Sequence, residues 1–340
     1  MIGRIGRRRY ALVALVAAAL AGCGSATTPQ SDPSTPAVSG DAEGRLSGEL
    51  WLNPDGHGPV AVRDARAQGR ADEAEALAPL AERPTATWVA DPGDPFVTVE
   101  RLSLAAEAAG QLPVLVAYQV PNRDCGSYSS GGASDVDAYL SWMGSFAAGL
   151  GERPAVVILE PDAIAQAIDG CPGVDPGQRY GWLSQAVQIL DRQPGTRIYL
   201  DAGNPTWIPD LAALSHGLRS SGIAQADGFA VNVSNFQTTE DSAEFGLALS
   251  EQLERDGQPG VHFVVDTSRN GAGPPADDDP DHWCNPAGRR LGEAPRTSPG
   301  LRRVDALLWI KQPGDSDGAC RGAPAAGQWW PSSALELVAG

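Results

Sequence analysis

Apolar and polar positions fall into two kinds of block along this chain. Short apolar runs recur, separated by longer stretches whose apolar residues keep a helical spacing. The runs read as buried strands at Leu50–Leu52, Thr85–Val89, Val114–Ala117, Val156–Leu159, Arg197–Leu200, Gly228–Val233, His262–Asp266 and Ala306–Ile310. The stretches between them read as helices at Ala61–Leu80, Val97–Ala109, Asp135–Leu150, Tyr180–Leu190, Asp210–Ser221 and Ser242–Asp256, with a short one at Ser333–Val338. Strands that alternate with helices build a parallel sheet. So many such units in one domain favour a barrel over an open doubly wound sheet, and the fold class is α/β.

In a parallel barrel the residues just past each strand's carboxyl end share one rim, where chemistry is usually placed. Here most apolar runs pass at once into polar or aromatic residues. Val114–Ala117 leads into Tyr118 and then Pro121, Asn122, Arg123 and Asp124, while Val156–Leu159 leads into Glu160, Pro161 and Asp162. Other strand ends bring Asp201 with Asn204 and Trp207, Asn232 with Asn235, Asp266 with Arg269, and Lys311 with Asp315 and Asp317. A single strand-end Asp often does no more than cap a helix or pair with an arginine. The same bias at so many strand ends argues for a shared site.

Composition narrows the classes. A chain of 340 residues can bury one large core, and its net charge of −17 leaves nothing to neutralise phosphates, so nucleic acid is not expected. No glycine-rich phosphate fingerprint follows the first strand. The acidic run Asp277, Asp278, Asp279 and Asp281 lacks the alternating spacing of a calcium loop and reads as a solvated turn.

The amino terminus has its own pattern. Arg4, Arg7, Arg8 and Arg9 precede the apolar run Ala11–Leu20, which is too short to span a membrane and reads as a signal-peptide core. Leu20-Ala-Gly-Cys23 then matches a lipoprotein signal, with Cys23 as the lipidated residue. The expected organisation is a signal peptide over 1–22, a flexible Ser/Thr/Pro-rich tether over 23–45 and a catalytic domain over 46–340. The protein is expected to be exported, and either anchored by lipid to the outer face of the cell membrane or secreted, as a monomer. An ordinary cleavage site with an unmodified cysteine is the rival reading.

Cys125, Cys171, Cys284 and Cys320 remain, an even number in an exported protein, which implies two disulfides. Sequence leaves three pairings open, of which spacing favours Cys125 with Cys171 and Cys284 with Cys320. A zinc site would need a tight Cys-x-x-Cys pair, and none is present. No metal and no organic cofactor are expected.

The rim lacks a Gly-x-Ser-x-Gly elbow, and His262 lies inside an apolar strand as a core residue. Acyl hydrolysis is therefore poorly supported. Carboxylates and amides beside tryptophans suit sugars, whose hydroxyls hydrogen-bond and whose C–H faces stack on aromatic rings. Cleaving a glycosidic bond takes one protonated acid and one acceptor that activates water or attacks directly.

Seven motifs now fall in order: Tyr118-x-x-Pro-x-Arg-Asp-Cys125, Glu160-Pro-Asp162, Leu200-Asp-Ala-Gly203, Asn232-Val-Ser-Asn235, Asp266-Thr-Ser-Arg-Asn-Gly271, Trp283-Cys-Asn285 and Trp309-x-Lys-x-x-Gly-x-x-Asp-Gly318. Together they resemble glycoside hydrolase family 6, the inverting cellulases. The resemblance implies a distorted β/α barrel of about seven strands, and the disulfides Cys125–Cys171 and Cys284–Cys320. It implies that Asp162 is the general acid, Asp124 the neighbour that holds its proton, and Asp317 the general base, directly or through water. It further implies that Tyr118 presses on the distorted sugar and that Ser130 helps to bind the attacking water. Trp51, Asp201, Asn204, Trp207, Asn235, Trp283, Lys311 and Asp315 match substrate-binding positions. Asn204 stands where the family usually has His, Asp315 where it usually has Glu, and the loop Asn204-Pro-Thr-Trp207 replaces a run of small residues. The short stretches from Cys284 to Trp309 and from Cys320 to Trp330 leave the cleft open, which favours an endo-β-1,4-glucanase over a cellobiohydrolase. Two further readings fit the same residues: a surface lipoprotein that binds glucan without cleaving it, and an enzyme acting on an envelope polysaccharide.

Overall fold

The computed structural model describes residues 45–276 and 281–339. The expected signal peptide, Cys23, the expected tether up to Gly44 and the three leading aspartates of the acidic run lie outside them. Eight strands form one sheet: β1 (Thr87–Val89), β2 (Val114–Ala117), β3 (Ala155–Leu159), β4 (Thr196–Asp201), β5 (Gly228–Val231), β6 (His262–Asp266), β7 (Arg296–Thr297) and β8 (Val304–Leu308). Their order is β1-β2-β3-β4-β5-β6-β8-β7. All are parallel except the two-residue β7, which runs antiparallel along β8.

Side chains alternate between the two faces along each strand with the pleat, and both faces are buried. Val114, Val116, Val156, Ile158, Tyr199, Ala230, Val264, Ala306 and Leu308 point into the barrel. Leu115, Ala117, Val157, Leu159, Ile198, Leu200, Phe229, Val231, Phe263, Val265 and Leu307 face the surrounding helices. Strands covered on both sides read as continuous apolar runs, which is why they were legible. The barrel is distorted at one seam. There β1 and the residues after β8 share no ladder, and Ala86 N–H donates to the Trp309 carbonyl at 2.8 Å while Trp88 Nε1 donates to the Ile310 carbonyl at 2.8 Å.

The helices are α1 (His57–Ala67), α2 (Ala71–Ala76), α3 (Ala78–Ala81), α4 (Phe96–Ala109), α5 (Val136–Leu150), α6 (Ala163–Ile168), α7 (Pro176–Leu190), α8 (Leu211–Ser220), α9 (Thr239–Arg255) and α10 (Pro331–Ala339). Four of them start at residues that cap them: Asp135 accepts from Ala138 N–H, Asp175 from Gln178 N–H, Asp210 from Ala212 and Ala213 N–H, and Thr238 from Asp241 N–H. Two expectations are corrected. The run Leu50–Leu52 makes only a single bridge, Leu50 to Leu112, because Pro54 lacks a donor and the Asn53 side chain accepts from Asp55 N–H at 3.0 Å to turn the chain. The single helix over Ala61–Leu80 is α1, α2 and α3, broken where Gly69 takes φ 73° and where Pro79 opens α3. Among the described residues no helix is long and apolar enough to cross a membrane.

Both disulfides form as the spacing favoured, with Cα separations of 5.6 Å for Cys125–Cys171 and 6.4 Å for Cys284–Cys320. Each closes a loop long enough that its loss should cost about 4 kcal/mol on the chain-entropy account. Thermal melts of a Cys284→Ser/Cys320→Ser variant should show a clear drop in Tm, and an unchanged Tm would refute that estimate.

Candidate active site

The loop after β2 is fixed from beneath. Glu160 is 1 % exposed, and its carboxylate accepts from Gln119 and Val120 N–H at 3.0 Å. Arg179, also buried, donates to the Pro121 carbonyl at 2.8 Å. Arg123 folds back over the Tyr118 ring at 4.7 Å and donates to the Tyr118, Ala90 and Ser129 carbonyls. Asp124 is left at the rim, accepting from Ser129 N–H at 2.6 Å. Glu160, one of the rim acids in the sequence, is thus a support for the next loop rather than a reacting group.

The backbone is forced at the same strand ends. Asn122, Asp124 and Cys125 after β2, Glu160 and Asp162 after β3, and Asn232 and Ser234 after β5 all have positive φ. Side-chain-bearing residues in that region cost about 1–3 kcal/mol each and persist where surrounding structure holds them, commonly at functional sites.

Asp162 opens α6, but its side chain caps nothing. Its backbone N–H donates to Asp201 Oδ2 at 2.8 Å, and Gly203 N–H donates to the same oxygen at 3.2 Å. Asp201 Oδ1 is buried without a partner. Burial, joined by the negative charges of Asp201 and Asp124, raises the Asp162 pKa well above the usual carboxylate range, and the Lys311 ammonium only partly opposes them. Burial pushes Asp201 up to about 7 despite the N–H donors at its rim oxygen. Asp124 also rises, driven by burial against the Ser129 N–H and the Arg123 charge.

Across the rim Asp317 is held in the opposite state. Its side chain is 7 % exposed, and it pairs with Arg269 at 2.9 Å and Lys311 Nζ at 3.0 Å. Asn285 N–H donates to it at 3.0 Å, and its own N–H donates to Asn285 Oδ1 at 2.8 Å. Burial opposes its charge, but the guanidinium and ammonium outweigh burial and hold the carboxyl at about 2. Lys311 thus links the two sides, acting on Asp162 and touching Asp317. The strand-end Asp266, by contrast, spends its carboxylate on Ser234, Ser268, Ile310 and Lys311 N–H and serves the fold.

The other predicted residues spread around this centre. Tyr118 is buried beneath Arg123 and stands edge-on to Trp88 at 5.2 Å; burial raises its hydroxyl's pKa, and the charges of Asp162 and Asp124 add to it. Ser130 is exposed on the loop whose Tyr128 lies beside Trp283 at 5.9 Å and against Gly318. That loop therefore reaches from the Asp124 side to the Asp317 side. Asn204 is 3 % exposed, and its Oδ1 accepts from Thr206 N–H, Thr206 Oγ1 and Trp207 N–H; it builds the turn that presents Trp207. Trp207 Nε1 donates to Asp169 at 3.1 Å. The Asn235 side chain turns back on Phe236 N–H at 3.0 Å. Trp51 lies in the helix-side core and is 6 % exposed, so little of its face is open. Asp315 accepts from His57 Nδ1 at 2.6 Å. Neither His57 nor Tyr128 was singled out in the sequence, although His57 follows the polar turn after the first apolar run, as the rim residues follow theirs.

The family model described as "Glycosyl hydrolases family 6" matches residues 47–340. The chain belongs to that family. Endoglucanase A of Cellulomonas fimi is 44 % identical over 265 residues, 77 % of this chain and 55 % of that protein, so the chain spans about half of that relative's length. Endoglucanase 1 of Streptomyces halstedii is 37 % identical over 340 residues, covering 98 % of each chain. The endoglucanase Cel6 of Mycobacterium tuberculosis, solved with methyl-cellobiosyl-4-deoxy-4-thio-β-D-cellobioside, superposes with a TM-score of 0.78 at 41 % identity, covering 86 % of this chain and 96 % of that one. The family 6 fold is the distorted β/α barrel described above, and a glycoside hydrolase assignment accounts for a rim rich in acids and indoles.

Proposed function

We propose that this family 6 chain is an inverting endo-β-1,4-glucanase acting on cellulose-type glucan. One arrangement carries the reading: on one rim the Asp317 carboxylate is paired with Arg269 and Lys311, which favours its anion, while Asp162 stands among the negative charges of Asp201 and Asp124, which favour its neutral acid. An inverting glycosidase needs that division, one carboxyl giving a proton to the leaving oxygen and one carboxylate serving the attacking water. Asp162 is the general acid, with Asp124 and Asp201 keeping it protonated. Asp317 is the acceptor, and Ser130 on the crossing loop helps to seat water. Tyr118 bears on the sugar at the scissile bond. Lys311 and Asp315 hold the chain on one side, with Trp207 and Trp283 as platforms. The endoglucanases among the relatives, and the short loops beside Cys284 and Cys320, support cleavage within the chain.

Carboxymethyl cellulose tests this directly. Viscosity should fall steeply before much reducing sugar appears, and the first product should be the α-anomer by NMR. Release of disaccharide without a viscosity drop would make the protein a cellobiohydrolase, and glucan binding without turnover would make it a binding lipoprotein. Comparing initial rates on mixed-linkage glucan and mannan tests an envelope polysaccharide as the substrate.

A further inference from the structure

We propose that His57 is a positioning residue of the cleft, fixing the Asp315 carboxylate so that its second oxygen holds one sugar hydroxyl. The pair is built from segments 258 residues apart: His57 opens α1, and Asp315 lies in the loop after β8. His57 Nδ1 and Asp315 Oδ1 are 2.6 Å apart, with side chains 43 % and 7 % exposed. The backbone of Asp315 is held separately. Asp315 bridges to Trp329, Trp330 N–H donates to the Gly314 carbonyl at 2.8 Å, and the Trp329 ring lies so close over Gly314 that an added Cβ would stand 2.6 Å from it. The Trp329 ring also meets the edge of His57, with centroids 6.2 Å apart.

Backbone contacts thus fix where Asp315 stands, and His57 alone fixes how its carboxylate turns. Among the described residues nothing else bonds that carboxylate, and nothing bonds His57 Nε2. Asp315 is two residues from Asp317 and four from Lys311, on the same rim loop. The bond to Asp315 raises the imidazole's pKa, against the burial that lowers it. A sugar hydroxyl is both donor and acceptor. It can donate to the second oxygen of Asp315, and the exposed half of the imidazole leaves room beside that carboxylate.

The inference rests on the reading of this rim as a glucan cleft, and binding measurements separate the two. Calorimetric titration with cellotetraose should show His57→Ala binding about 5- to 10-fold more weakly, and KM on soluble glucan should rise more than kcat falls. His57→Asn, whose amide can still reach Asp315, should recover most of the affinity. Asp315→Ala should bind at least as weakly as His57→Ala, and the double variant no more weakly than Asp315→Ala, because His57 acts through Asp315. Wild-type binding matched by His57→Ala, or additive losses in the double variant, would overturn the pairing while leaving the hydrolase intact. A wild-type protein that binds cellotetraose without cleaving glucan would overturn the hydrolase reading alone.

Discussion

Replacing Asp162 with Asn should lower kcat on unactivated glucan by about 10³-fold while cello-oligosaccharide binding persists. The loss follows from the leaving group. A sugar alkoxide is too basic to depart without a proton, and Asp162 is a rim carboxyl whose desolvation and negative neighbours, Asp201 and Asp124, oppose its ionisation. A dinitrophenyl cellobioside, whose phenolate leaves unaided, should lose far less. The pH profile gives a second check. Asp162 works while protonated, so kcat should fall on the alkaline side as that proton leaves. Asp124→Asn removes one of the negative charges that hold the proton, so the alkaline limb should move to lower pH. Full turnover of glucan by Asp162→Asn, with both substrates affected alike, would take the acid role away from this residue. The same burial bears on stability. Asp201 and Glu160 have folded-state values of about 7, above their unfolded values, so their contribution is complete below the ordinary carboxylate range and is lost as pH rises through about 7.

Much of this was legible in the chain because two periodicities coincide with one topology. A parallel sheet buried on both faces turns every strand into an apolar run, so β2, β3, β4, β5 and β6 could be located from their residues. The rim then follows, since each run ends in the residues that project past it. What could not be read was the division of labour among the acids. Glu160, Asp162, Asp201 and Asp266 look alike as letters after a strand. Only the structure shows Glu160 and Asp266 accepting backbone N–H groups, while the Asp162 side chain caps nothing at the start of α6. Helix breaks were missed for a related reason. Gly69 and Pro79 are tolerated near helix ends as well as between helices, and the alanine-rich stretch around them keeps its helical spacing. Two-residue β7 and six-residue α6 are too short for any periodicity to register. His57 was passed over because its partner is 258 residues away, and a lone histidine after a turn carries no local signature.

Asp317→Ala should damage the fold as well as the reaction. The substitution leaves Arg269 and Lys311 facing each other, with side chains 5 % and 11 % exposed and no shared anion. Breaking a buried pair from one side typically costs about 3–5 kcal/mol, most of it the penalty of the stranded charge. In the wild type the carboxyl's value of about 2 means that its contribution is complete above the ordinary carboxylate range and is lost as pH falls through about 2. That low value also constrains catalysis. A carboxylate so well paired is a weak base, and taking a proton from water at Asp317 becomes favourable only as the sugar's developing positive charge makes that water acidic. The acceptor role therefore predicts a large loss in kcat, about 10²-fold or more, with cellotetraose affinity changed only a few-fold. An anchoring role predicts the reverse, with affinity falling and kcat largely kept. Asp317→Asn separates the two, because the amide preserves the contact with Asn285 and the shape of the loop while removing the acceptor. Turnover retained by that variant would move the acceptor role to another carboxylate of the rim, with Asp124 the next to test.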